Sequence, residues 1–439
     1  MRRTSSHSSL AAVGLLVIAL LATASTGGAS GASGTGSTAP GGRHWVNTWT
    51  AMPQLTEPGN MPPAPFTQED AVLVDSTLRQ TVRVTVGGER IRLRFSNAFG
   101  GAPLPLTSVS VARPTGGRAG VAGIEPGSAR PVTFQGSTST TVPVGAQAVS
   151  DPLPFDVAAG SNLTVTTYLA EGQASRDITS HPGSRTTSHL LAGDHTDAVD
   201  LPGATPTDHW YFLSGIETWA PARTTAVAIV GDSLTDGRGS TTNRNDRWPD
   251  QFFDRLLSRP GGTVDTAVLN QAAGGNRVLN DGLGPNLLAR LDRDVLAQSG
   301  VERLVVFEGI NDIGTAPATP AAQKDVAARL IAAYEQIVVR AHAQGIEVYG
   351  ATLLPFGGNG MYDDAEGLRE ETRRTVNAWI RDSGRFDAVI DFDAAVRDPA
   401  ARERLLPAAD SGDHLHLNPH GYGLLADAVP VRLFRGARG

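Results

Sequence analysis

The stretch Val227-Ala228-Ile229-Val230-Gly231-Asp232-Ser233-Leu234-Thr235-Asp236-Gly237 decides the fold. Its four apolar residues read as a buried strand. Gly231 breaks that strand, and Ser233 sits in the turn that follows. Further on, Trp248-Pro249 and Phe252-Phe253 fall in the mixed charged and apolar pattern of a helix start. Strand, tight turn, serine and helix together expose a nucleophile at the edge of a sheet. Helix N-terminal amides there can stabilise developing negative charge. A serine in a turn can also be a cap that bonds only its own backbone. The rest of the chain has to distinguish the two readings.

Downstream of Ala220-Pro221, apolar runs recur at 226–230, 264–269, 304–307, 346–354 and 388–390. Helical segments lie between them. Thr319-Pro320 opens one, as N-cap and first-turn proline. Val326, Leu330, Tyr334, Ile337 and Val338 follow at helical spacing, and Gly345 closes it. A second helix is predicted over 366–382, before Gly384. This alternation predicts an α/β fold with right-handed crossovers and a parallel sheet flanked by helices. In such sheets the active site lies beyond the carboxyl ends of the strands.

Those ends carry chemistry. The first delivers Ser233. The second runs into Asn270-Gln271-Ala272-Ala273-Gly274-Gly275-Asn276-Arg277, whose glycines let backbone approach a ligand closely. The third ends in Glu308-Gly309-Ile310-Asn311-Asp312, which presents a side-chain amide. Near the C-terminus, Asp413 precedes His416 by three residues and can hold its ring in one tautomer. Acyl transfer needs a nucleophile, a base, an orienting acid and donors for an oxyanion. All four kinds are present. Asp232, Asp236 and Asp312 read as structural, bonding turn amides or pairing with an arginine. His414 reads as a surface residue and His420 as the start of the last helix.

Four blocks in this order resemble the GDSL, or SGNH, hydrolases: Gly231-Asp232-Ser233-Leu234, Asn270 to Gly275, Gly309-x-Asn311-Asp312 and Asp413-x-x-His416. The resemblance implies a flavodoxin-like three-layer α/β/α catalytic domain that hydrolyses esters, thioesters or sugar O-acyl groups. By that match Ser233 is the nucleophile, His416 the general base and Asp413 its orienter. Ser233, Gly275 and Asn311 would supply the oxyanion hole. Ala272 stands where the second block often has glycine, so either Gly274 or Gly275 can supply the amide; the family's spacing favours Gly275. No metal or organic cofactor is implied. A metallohydrolase built on His414, His416, His420 and Asp413 would leave the serine and asparagine loops unexplained.

Residues 43–220 have a different texture. Short β-rich runs are separated by Gly, Pro and Asn turns. Runs 81–86 and 90–95, parted by Gly87-Gly88-Glu89, predict an antiparallel hairpin. Runs at 109–111, 132–134 and 163–168 continue the pattern, and a β-sandwich or jelly-roll-like domain is expected. Trp45, Trp49, Trp210, Tyr211 and Trp219 could stack on sugars, but packing is the favoured role. His181, His189 and His195 are too widely spaced to define a metal site.

Arg2-Arg3, an apolar run over 10–21 and Ala22-Thr23-Ala24 have the order of a secretory signal peptide, assigned to 1–24. The Gly/Ser/Thr/Ala stretch 25–42 reads as a flexible linker. The accessory domain is then 43–220 and the catalytic domain 221–439. Signal removal takes away two arginines and no acid, moving the net charge from −7 to −9. That charge disfavours a nucleic-acid partner, and no stable membrane insertion is expected after cleavage. With 0 cysteines, disulfides, a thiol nucleophile and thiolate metal sites are excluded. The expected partner is a small-molecule or polysaccharide ester. The β-rich region before the catalytic one looks like the arrangement in secreted SGNH proteins of plant polysaccharide breakdown. A carbohydrate O-acetyl esterase is therefore one expectation. A lipase-type acylhydrolase and a non-catalytic wall- or carbohydrate-binding protein are the alternatives.

Overall fold

In this computed structural model, residues 42–259 and 264–434 are described. The signal peptide expected over 1–24 and the linker over 25–42, save Gly42, lie outside the described residues. The described residues form one compact unit.

The parallel sheet has five strands: β1 (Thr225–Gly231), β2 (Thr266–Asn270), β3 (Val301–Phe307), β4 (Glu347–Ala351) and β5 (Ala388–Ile390). Their order is β2-β1-β3-β4-β5, and every pairing is parallel. β1 lies inside the sheet and is buried along its whole length, as its apolar run requires. Its neighbours β2 and β3 leave in opposite directions across the sheet. The crevice beyond their carboxyl ends is therefore a topological switch point.

Two groups of helices pack among themselves. Trp248–Leu257, Phe392–Val396 and Pro419–Ala428 form one. Leu287–Leu291, Ile310–Thr315, Pro320–His342 and Leu368–Asp382 form the other. In Pro320–His342 the Thr319 hydroxyl accepts the Ala322 N–H at 3.3 Å. Val326, Leu330, Tyr334, Ile337 and Val338 are buried along one stripe, which is what the helical period predicted.

Pairing changes from antiparallel to parallel between Pro221, the end of strand Leu213–Pro221, and Thr225. Upstream, one sheet runs Arg43–Thr50, Leu213–Pro221, Gly88–Ser96, Leu153–Val157, with Gln147–Val149 also on Gly88–Ser96. A second runs Thr205–Thr207, Ser188–Ala192, Ser76–Arg83, Asn162–Leu169, Ser108–Ala112, Arg130–Pro131. They share one apolar core. Ile91, Leu93 and Ile216 enter it from the first sheet, and Leu78, Val82 and Val165 from the second.

The hairpin expected from runs 81–86 and 90–95 does not form. Ser76–Arg83 pairs with Asn162–Leu169 and Ser188–Ala192, whereas Gly88–Ser96 pairs in the other sheet. The intervening residues cross between sheets: Val84 N–H bonds the Ser161 carbonyl and Thr85 N–H that of Thr48, at 3.0 and 2.9 Å. The two strands bury apolar side chains into one core from opposite sides, so they cannot be neighbours in one sheet. The run expected at 132–134 also shifts, and the strand there is Arg130–Pro131.

Trp49, Trp210 and Tyr211 are buried in this core, the two tryptophans edge to face at 4.9 Å. Trp45 and Trp219 are half-buried and pair at 5.2 Å, with the Arg92 guanidinium over Trp45. Packing thus accounts for all five aromatics.

The antiparallel region also covers the outer edge of β2. The Thr85 hydroxyl accepts the Val268 N–H at 3.1 Å. Val46, Val86, Ala220, Ala226, Ala267 and Leu269 form a small apolar cluster between the two regions.

Candidate active site

Ser233 stands where β1 ends. A Cβ on Gly231 would lie 2.5 Å from Thr235 Oγ1 and 2.9 Å from the Phe307 carbonyl, so the turn closes only over glycine. Asp232 caps the single helical turn Ser233–Asp236, accepting the Leu234 N–H at 2.9 Å. Gly237, at φ 95°, ends it in the left-handed region. Burial, opposed by the Leu234 amide and reinforced by Asp312 and Asp236, pushes the Asp232 carboxyl up to about 7.

His416 reaches the same point from the loop before helix Pro419–Ala428. Asp413 Oδ1 accepts the His416 and Leu415 amides at 2.8 and 3.0 Å, and Oδ2 lies 2.6 Å from His416 Nδ1. A carboxylate only accepts, so Nδ1 carries a proton and Nε2 is left facing Ser233 Oγ at 2.7 Å. Burial would raise Asp413, but the His416 amide and ring outweigh it and hold the carboxyl at about 2. Burial lowers His416 below its ordinary value; Asp413 opposes this, and Arg238 and Arg185 add to it. At neutral pH the ring is a free base.

The glycine loop resolves a choice that the sequence left open. The Gly274 N–H donates to Asp236 Oδ2 at 2.9 Å and is already used. Ala273 to Asn276 form a turn closed by the Asn276 N–H on the Ala273 carbonyl at 3.1 Å. Gly275 takes its third position at φ 73°. Among the described residues, the Gly275 N–H has no acceptor. The Ser233 N–H, first in its helical turn, has no intrahelical acceptor either.

Asn311 is buried and doubly held. Its Nδ2 donates to the Asn276 carbonyl at 2.8 Å, and its Oδ1 accepts from the Tyr362 hydroxyl at 2.7 Å. One amide hydrogen remains without a partner among the described residues. Burial pushes the Tyr362 hydroxyl up to about 12, so it stays a donor. Asp312 accepts the Val278 and Leu279 amides, both at 2.9 Å, and so fixes the following stretch of the same loop.

All five expected residues, Ser233, Gly275, Asn311, Asp413 and His416, line one cleft of 680 Å³. Sequence reasoning missed its other wall. Gln54, Glu57, Asn60, Arg185 and His209 come from the antiparallel region. Tyr362 was also missed, and Asp236, expected to bond an amide or an arginine, pairs with His181 at 3.0 Å as well. His414 turns away to Asp410, 2.6 Å off, and is exposed, as expected; His420 sits in the first turn of Pro419–Ala428. Among the described residues no three His, Cys, Asp or Glu side chains are arranged to hold a metal ion.

A serine on the turn after the first strand of a parallel sheet, served by loops at the switch point, is the GDSL/SGNH hydrolase fold. Residues 229–424 match the model of the GDSL-like lipase/acylhydrolase family, and this part of the chain belongs to it. The protein is thereby an esterase or acylhydrolase, a carboxylic ester hydrolase. No curated protein matches the chain. Among solved structures it is similar to a G-D-S-L family lipolytic protein from Desulfitobacterium hafniense, at 21% identity and TM-score 0.34, covering 47% of this chain and 97% of that one. It is similar to a GDSL-like lipase from Bacteroides thetaiotaomicron, at 16% and 0.34, covering 46% and 85%. A catalytic mutant of an acetylxylan esterase from Geobacillus stearothermophilus gives 20% and 0.36, covering 49% and 97%.

Proposed function

We propose that this is a secreted serine esterase. His416 Nε2 takes the Ser233 proton as Oγ attacks the ester carbonyl. The tetrahedral oxyanion accepts from the Ser233 and Gly275 amides and from Asn311 Nδ2. Collapse releases the alcohol, which takes the proton back from His416. Water, deprotonated by the same ring, then frees the acid. The observation that carries this reading is the line Ser233 Oγ–His416 Nε2–Asp413, at 2.7 and 2.6 Å.

For the substrate we propose a short acyl group on a hydroxylated alcohol, a carbohydrate O-acetyl ester being the natural case. Its support is the wall of Gln54, Glu57, Asn60, Arg185 and His209, which offers hydrogen bonds to hydroxyls, facing the apolar side chains Leu283, Met361 and Leu415, which can take the acyl group. The reading includes export through a signal peptide at 1–24. It takes 221–439 as a three-layer α/β/α domain, supported by the strand order and the two helix groups. It takes 43–220 as a sandwich, supported by the core its two sheets share.

The test is hydrolysis of nitrophenyl acetate, a longer-chain nitrophenyl ester and an acetylated polysaccharide by wild type and Ser233→Ala. The reading expects loss of activity in Ser233→Ala and preference for acetyl. Equal activity in the two proteins would falsify the serine mechanism. Preference for the long chain would move the substrate to the lipase class.

A further inference from the structure

His181 ends strand Thr179–His181 of the antiparallel region and is buried, its ring stacked on Trp210 at 5.8 Å. Its Nδ1 lies 3.0 Å from the Met52 carbonyl and its Nε2 3.0 Å from Asp236 Oδ1. Burial alone would raise the Asp236 carboxyl, but His181, with Arg185 and Arg247, outweighs it and keeps the group ionised. A carboxylate only accepts, so in the pair with Asp236 the donor is His181 Nε2. The other oxygen of the same carboxylate accepts the Gly274 N–H at 2.9 Å. Asp236 closes the helical turn that begins at Ser233, and Gly274 immediately precedes Gly275. Gly183, two residues beyond His181, seals the contact: a Cβ there would lie 1.8 Å from Asp236 Oδ2. One carboxylate therefore ties the antiparallel region to both the serine turn and the glycine loop.

We propose that His181 is a positioning residue for ester hydrolysis. By holding the Asp236 carboxylate it fixes the Gly274 amide, and through it the direction of the Gly275 N–H. This rests on the oxyanion role given to Gly275 above. The antiparallel region is then part of the catalytic apparatus and not an appended binding module.

Three variants test this in the full chain. In His181→Asn the shorter amide keeps the Met52 bond and loses Asp236; in His181→Gln the longer amide reaches Asp236. Gly183→Ala keeps the histidine and its Met52 bond and displaces the Asp236 carboxylate by bulk alone. With nitrophenyl acetate, His181→Asn and Gly183→Ala are expected to lose about 10–100-fold in kcat with KM little changed, since a slightly misplaced donor costs less than a deleted one. His181→Gln is expected to recover most of that loss. Affinity for a boronic acid, whose tetrahedral adduct on Ser233 fills the oxyanion hole, falls in parallel with kcat. A purely structural role would lower the melting temperature and leave kcat per folded molecule and boronate affinity unchanged, which would overturn the proposal. Hydrogen exchange at Gly274 reads the same link without turnover: protection in the wild type, lost in His181→Asn and Gly183→Ala. Unchanged protection overturns the link even if activity falls. Should Ser233→Ala remain fully active, the serine mechanism fails, and the exchange measurement still decides whether His181 orders the loop.

Discussion

The two halves of this chain contribute to one cleft in opposite ways. In the parallel-sheet half, Ser233 and Asn311 sit a few residues beyond strand ends, and His416 lies on the loop before helix Pro419–Ala428. Ser233 depends on Gly231 and Asp232, His416 on Asp413, and Asn311 on Asn276 and Tyr362. In the antiparallel half, the cleft residues Gln54, Glu57, Asn60, Arg185 and His209 come from separate segments, and His181 meets its partner across 55 positions of sequence. In the proposed mechanism the first half holds the reactive atoms, and the second encloses and steadies them. A region that looks like an accessory module by its strands can be an active-site wall by its loops.

The comparison breaks most sharply at Ser233. Ser233→Ala is expected to lower kcat by roughly 10⁴–10⁶-fold, leaving only binding and oxyanion contributions. Steady-state kinetics on nitrophenyl acetate checks this, and a residual rate above a hundredth of wild type would remove the reactive group from this half. Asn311→Ala is expected to cost about 10²–10³-fold in kcat, the usual loss for one oxyanion donor. Tyr362→Phe frees only one hydrogen bond to the amide and is expected to cost about tenfold or less. If it costs as much as Asn311→Ala, Tyr362 itself meets the substrate.

The junction gives a stability test. Thr85→Val removes the hydroxyl that accepts the Val268 N–H and strands a buried donor, at about 1–3 kcal/mol. Denaturant unfolding is expected to show one transition moved to lower denaturant concentration. Two separated transitions would mean that the halves unfold independently.

The smallest effect concerns pH. His416 is lowered mainly by burial, so its free-base form persists further into acid. The acid limb of kcat/KM is expected to have its midpoint below about 6.5. Arg185 and Arg238 both disfavour the imidazolium, so Arg185→Gln and Arg238→Gln are each expected to move the midpoint up. A shift with Arg238→Gln alone would confine tuning of the base to the parallel-sheet half.

What was legible in the sequence follows the same division. The β/α alternation was readable because period-3.6 stripes and apolar runs are local patterns. Ser233, Asp413 and His416 were readable because each lies within a few residues of the group that positions it, and Asn311 because it follows the third strand by four residues. The supposed hairpin at 81–95 was misread because Gly-Gly between two alternating runs looks the same whether the chain turns back within a sheet or crosses to the facing one. Only the partners Asn162–Leu169 and Leu213–Pro221, far along the chain, distinguish the two. Tyr362 lies in a loop with no periodicity. No short motif announces His181, since its meaning depends on Asp236 lying beneath it.

The bond from Val268 to Thr85 has a consequence for how the protein behaves in a crowd. β2 is a margin of the parallel sheet, and its main-chain donors face outward; the opposite margin, β5, is only three residues long. Trimming the chain back to 221–434 would strip the cover from β2 and offer a bare strand to water, a template on which other copies could add strands and grow into insoluble ribbons.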